Sequence, residues 1–82
     1  QGKYGDALKL HHQALEIFKK LPNHLYFVGS CYHNIAQVLK NQGRYDEALE
    51  NYQKTLTIQR EIFPEGNPGI AATCNEIGAV LR

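Results

Sequence analysis

Between residues 45 and 62 the apolar and small side chains Tyr45, Ala48, Leu49, Tyr52, Thr55, Leu56 and Ile62 fall at i, i+3, i+4, i+7, i+10, i+11 and i+17. That spacing draws one stripe along a helix and does not alternate as a strand would. Gly43 precedes the stripe as a helix breaker. Asp46 and Glu47 suit the positive end of the helix dipole, and Glu50 and Lys54 stand as a favourable i,i+4 pair. Pro64 and Gly66 end the element near Phe63.

The same pattern opens the chain. QGKYGDALKLHHQALEI at residue 1 and QGRYDEALENYQKTLTI at residue 42 share seven of seventeen residues. Arg44 for Lys3 and Glu47 for Asp6 are conservative changes. The first copy predicts a helix over about 4–21, ended by Pro22. Val28, Cys31, Tyr32, Ile35 and Leu39 predict another over about 24–41. After Pro64, Asn67 can cap a fourth helix that Pro68 begins. In that helix Ile35, Val38 and Leu39 recur as Ile77, Val80 and Leu81, and the small residues Gly29, Ser30 and Ala36 recur as Ala71, Ala72 and Gly78. Self-similarity at this period marks a repeat architecture. The short turn at Gly43 makes its flanking helices antiparallel neighbours, and the small residues allow close approach. Such a hairpin cannot bury its stripe alone and must stack on others.

The residues that recur resemble a known family. Tyr32, Ile35, Ala36 and Leu39, followed by Gly43, Tyr45, Ala48, Leu49, Tyr52 and Thr55, resemble the tetratricopeptide repeat consensus. Thr55 departs from it, since alanine is preferred there, whereas Ala14 in the first copy keeps it. The usual period of that family is 34 residues. The period here is 41 to 42, as in the kinesin light chain-like subclass. The resemblance implies an all-α fold of antiparallel helical hairpins stacked in a right-handed superhelix, an α-solenoid fragment of about four helices. Residues 1–22 would be the B helix of a partial repeat, 23–64 one complete repeat and 65–82 the A helix of a further one. On that reading the chain is a fragment of a longer array.

Composition narrows the partners. Net charge is +1 with acids and bases interspersed, which offers no basic patch to nucleic acid or to an anionic membrane. No apolar run approaches the ~18 residues of a membrane span. Cys31 and Cys74 both lie within helical patterns, which predicts buried free thiols and a reducing, cytoplasmic setting.

The second helix carries Ser30, His33, Asn34, Gln37, Lys40 and Asn41 on the side away from its stripe, at i, i+3, i+4, i+7, i+10 and i+11. The fourth has Ala72, Asn75, Glu76, Ala79 and Arg82 at matching positions. A plain solvated face is rich in Lys and Glu, and this one carries His, Asn and Gln instead. Amides donate and accept, so they can pair with peptide backbone. The resemblance implies that A helices line a concave groove, which makes Ser30, His33, Asn34, Gln37, Lys40, Asn41, Asn75, Glu76 and Arg82 the expected contacts for a peptide or short helix. Co-chaperones of the family that clamp carboxylates keep Asn at the position of Asn34 but need basic residues at those of Ala72 and Glu76. A carboxylate clamp is therefore not expected.

His11, His12, His24 and His33 do not form a metal site by spacing, because no pair stands at i,i+4. His11 replaces Tyr52 in the repeat and is expected to pack. No catalytic motif occurs, so neither enzyme activity nor a cofactor is expected. The function implied is a protein-interaction module within a larger scaffold or adaptor. The alternatives are a structural spacer or oligomerisation segment without a ligand of its own, and a sensor array regulating a linked enzyme. The uncovered stripes at both ends also predict end-to-end self-association.

Overall fold

The computed structural model describes residues 2–20 and 24–82, and these form four helices. They are α1 (Gly2–Phe18), α2 (Leu25–Asn41), α3 (Tyr45–Ile62) and α4 (Pro68–Leu81). Each packs on the next in sequence, α2 against α3 most extensively, in a slab of 37 × 34 × 16 Å. Gly29 near the start of α2 meets Ile58 near the end of α3, so the two run antiparallel.

Local chemistry explains the boundaries. The Arg44 amide donates to the Leu39 carbonyl and the Gly43 amide to that of Lys40, at 2.9 and 3.0 Å. This double closure ends α2 in a Schellman turn, which needs a left-handed residue just past the cap. Gly43 supplies it with φ of +80°. Arg44 then grips Glu47 with two hydrogen bonds of 2.8 and 2.7 Å across the first turn of α3. That contact holds the Glu47 carboxyl below the usual carboxylate range. Phe63 turns to extended geometry (φ −121°, ψ 149°), as a residue before proline prefers, and α3 stops at Ile62. The Asn67 side chain accepts from the Gly69 amide at 2.7 Å and caps α4 above Pro68.

Two local expectations are corrected. The first helix ends at Phe18 rather than near residue 21, because the Lys20 amide has already switched to the carbonyl three residues back, that of Ile17. Pro22, expected to end it, lies outside the described residues. Lys54 forms no ion pair with Glu50 and instead holds its ammonium 5.3 Å from the centre of the Tyr32 ring.

The core is built around α2. Val28, Cys31, Ile35, Ala36 and Leu39 are buried there, with Leu15 from α1 and Ala48 and Tyr52 from α3. Because α2 has helices on both sides, it needs a wide apolar face, and its small residues Gly29 and Ala36 let neighbours close in. Thr55 and Thr73 are buried without penalty, since each hydroxyl donates to the carbonyl four residues back, of Asn51 and Gly69.

The outer helices bury part of their apolar stripes and expose the rest. Leu8, Ala14 and Phe18 of α1 pack on the core, and Leu15 is part of it. The exposed apolar residues of α1 are Leu10 (64%) and Ile17 (62%). On α4 Leu81 is 69% exposed and Cys74 is exposed. Cys74 was expected to be buried. Thr73, not Cys74, takes the place Cys31 has in the repeat, and a shift of one residue turns a helical side chain by ~100°, off the packed face. Cys31 is a buried free thiol whose pKa burial raises.

Candidate functional site: the face shared by α2 and α4

The helices α2 and α4 lie side by side across α3, and their polar residues meet at one end of this face. Lys40 donates to Glu76 Oε1 at 2.8 Å, and Gln37 donates to Glu76 Oε2 at 3.2 Å. The hydrogen-bonded Lys40 ammonium, helped by Gln37 and opposed by partial burial, holds the Glu76 carboxyl below the usual carboxylate range. Tyr52 lies beneath, fully buried, with the His33 ring edge-on at 5.8 Å between centroids. Its hydroxyl is near the Glu76 carboxylate but outside hydrogen-bonding geometry. Burial first, and then the adjacent negative charge, push the phenol up to about 12. This clasp ties α2 to α4.

At the other end the face opens into a cleft of about 390 Å³. Ser30, His33 and Asn34 of α2 and Ala72 of α4 form part of its wall. Ser30 and Asn34 are exposed, and neither side chain is hydrogen-bonded within the described residues. The remaining wall is Tyr26 and Gly29, the α3 residues Thr55, Ile58, Gln59 and Ile62, and Phe63, Asn67, Gly69 and Thr73. Gln59 Oε1 is buried and has no hydrogen-bond partner among the described residues. Tyr26 lies edge-on to Phe63 at 6.2 Å and to Phe27 at 5.5 Å, and Phe27 stacks on Phe18 at 4.9 Å, so a row of rings leads away from the cleft, with Tyr26 and Phe63 in its wall.

The nine expected contacts therefore separate into three groups. Ser30, His33 and Asn34 line the cleft, whereas Gln37, Lys40 and Glu76 are joined to one another. Asn41, Asn75 and Arg82 are exposed and lie outside the cleft. Sequence reading missed the contribution of α3. Its apolar pattern runs on through Ile58 and Ile62, past the buried core residue Tyr52, and that continuation was the available signal. His11 is half-buried, not enclosed as Tyr52 is. Among the described residues no three His, Cys, Asp or Glu side chains gather as a metal site would require. No helix among them is long and apolar enough to cross a membrane.

Antiparallel helical hairpins that stack side by side in chain order define a fragment of an α-solenoid. The chain belongs to the tetratricopeptide repeat family, whose model matches it twice, over residues 1–61 and 27–82. The long-repeat, kinesin light chain-like form is compatible with that match. No curated protein and no solved structure matches it. Repeats of this family generally mediate contacts between proteins.

Proposed function

We propose that the chain is an interaction module that holds a peptide or short helix along the face of α2 and α4, within a larger cytoplasmic scaffold or adaptor. In this reading α1 is the B helix of one repeat, residues 23–64 are a complete repeat and α4 is the A helix of the next. The observation that carries it is the cleft beside the clasp, where Asn34 presents an amide with no partner among the described residues. A free amide on a concave wall can accept from and donate to peptide backbone. The clasp fixes the spacing of α2 and α4, so the wall is organised before a ligand arrives, which lowers the entropy lost on binding.

Asn34 is exposed, and its replacement leaves the core intact. With a linear peptide selected from a random library as ligand, Asn34→Ala is expected to weaken binding by about 1–3 kcal/mol, the effect of leaving a polar partner unpaired. The thermal midpoint should hardly move. Equal affinities of mutant and parent in titration calorimetry would favour a spacer without a ligand of its own.

A further inference from the structure

We propose that the outer edge of α4 takes α1 of a second copy of the chain, with Ile17 of that copy set against Ala71. This goes beyond the interaction-module reading above and does not depend on it.

The first ground is what α4 shows to solvent. None of its exposed residues is charged, and all but Asn75 are small or apolar, Cys74 and Leu81 among them. Its one acid, Glu76, is already joined to Lys40. A solvated helix face carries charged and polar side chains, so this face is composed to be covered. At the opposite edge of the chain, α1 leaves Leu10 and Ile17 mostly exposed.

The chain itself shows what covers such a face. In the repeat register α4 follows α2 by 42 residues and α3 follows α1 by 41. Ile70, Thr73, Ile77 and Leu81 stand where α2 has Val28, Cys31, Ile35 and Leu39, all buried. Ile17 stands where α3 has Ile58, which packs against that core. The α2–α3 contact is therefore the pattern for α4 with α1. The α1 of the same chain cannot supply it, because α2 and α3 lie between the two.

The same pattern supplies a distance. A Cβ at Gly29 would lie 3.7 Å from Ile58 Cβ and 3.1 Å from Ile58 Cγ2. Ala71 occupies the position of Gly29 in the repeat and does carry a Cβ. Ile17 of the second copy therefore meets Ala71 Cβ closely, and its helix must give by a few tenths of an ångström relative to α3. Ala71 is thus a point at which the fit is tight and open to adjustment. Asn75 and Arg82, outside the cleft of their own copy, hold on α4 the places that His33 and Lys40 hold on α2. Stacking carries the polar face on from α4 to α2 of the next copy, and a cleft there draws its walls from both.

The test places cysteines at the two positions, with Cys74→Ser removing the exposed native thiol. The 3.7 Å between Cβ atoms matches the ~3.8 Å of a disulfide. Chains carrying Ile17→Cys and chains carrying Ala71→Cys are mixed and equilibrated with reduced and oxidised glutathione. The mixed dimer should exceed what random pairing gives. A chain carrying both should form a ladder of linked multimers, because a contact between different surfaces does not close. In the otherwise unchanged chain, Ala71→Gln lengthens the side chain at the contact while keeping helix propensity. It should raise the concentration of half-association in light scattering about fivefold or more. Ile17, Ala71 and Cys74 are all exposed, so every diluted variant should unfold at the parent's midpoint. Random pairing, an excess of either like pair, or association indifferent to Ala71→Gln would overturn the proposal and leave the interaction-module reading untouched.

Discussion

Lys40 Nζ and Glu76 Oε1 lie 2.8 Å apart on helices that are not consecutive, with 27% and 30% of their side chains exposed. A pair this shielded is screened less than a surface pair, but its value stays modest, about 0.5–1 kcal/mol. The pH dependence has a definite sign. The folded carboxyl is held below its unfolded value near 4.5, so its contribution is complete above that value and is lost as pH falls through the folded one. Glu76→Gln should therefore lower the thermal midpoint at neutral pH and make little difference in acid. Parallel midpoint curves for the two proteins from neutral pH into acid would show that the ion pair contributes nothing.

Two glycines within helices should respond oppositely to the same change. Gly78 of α4 has nothing within 4 Å of where a Cβ would stand, so Gly78→Ala should stabilise by about 1 kcal/mol through helix propensity alone. At Gly29 the added Cβ would come to 3.1 Å from Ile58 Cγ2. Overpacking of this kind costs about 1–3 kcal/mol, which cancels or exceeds the propensity gain. Denaturant midpoints should rise for Gly78→Ala and stay or fall for Gly29→Ala. An equal rise in both would mean that α2 and α3 have room to separate.

The cysteines give a chemical measure of the same packing. Cys74 is exposed, whereas Cys31 is buried with its pKa raised by that burial, so little of it is thiolate. A disulfide-exchange reagent should take up one equivalent rapidly from the native chain. The second equivalent should appear only on unfolding. Two rapid equivalents would place Cys31 in contact with solvent and contradict the core described above.

Element order, the Gly43 turn and the Asn67–Pro68 cap were legible in the sequence because each rests on local chemistry: a stripe period, a left-handed glycine, a side-chain acceptor. The faces were less legible. A stripe does not tell which of its edges a neighbour covers, and so the helical pattern puts Cys74 inside, where Thr73 holds that position. The sequence also groups the polar residues of α2 on one face but does not divide that face into two halves. Nothing local to Gln37 or Lys40 announces that Glu76, on another helix, has already engaged them. Long-range pairing of this kind follows from the stacking distance between repeats, which only the assembled helices define.

The outer edges carry the last expectation, that chains associate head to tail. In the repeat register Leu81 corresponds to Leu39 and Ile17 to Ile58. Leu39 is buried in the core, and Ile58 packs partly against it at the junction of α2 and α3, whereas Leu81 and Ile17 both face outward. The edge of α4 thus matches the side of α2 that receives α3, and the edge of α1 matches the side of α3 that docks there. One chain's α4 set against another's α1 would repeat the α2–α3 packing, with Ile17 entering where Ile58 lies. Burying a side chain of this size contributes about 1.5–3 kcal/mol. Association itself costs an estimated 4–15 kcal/mol, so the contact should be weak and strongly dependent on concentration. Because it joins different surfaces, it would extend as an open series rather than close as a dimer. Light scattering over a dilution series should show mass rising with concentration, and Ile17→Glu or Leu81→Lys should each suppress the rise without lowering the unfolding midpoint of the diluted chain. A monomer at every concentration would mean that these edges do not recognise one another, whatever their likeness to the α2–α3 contact.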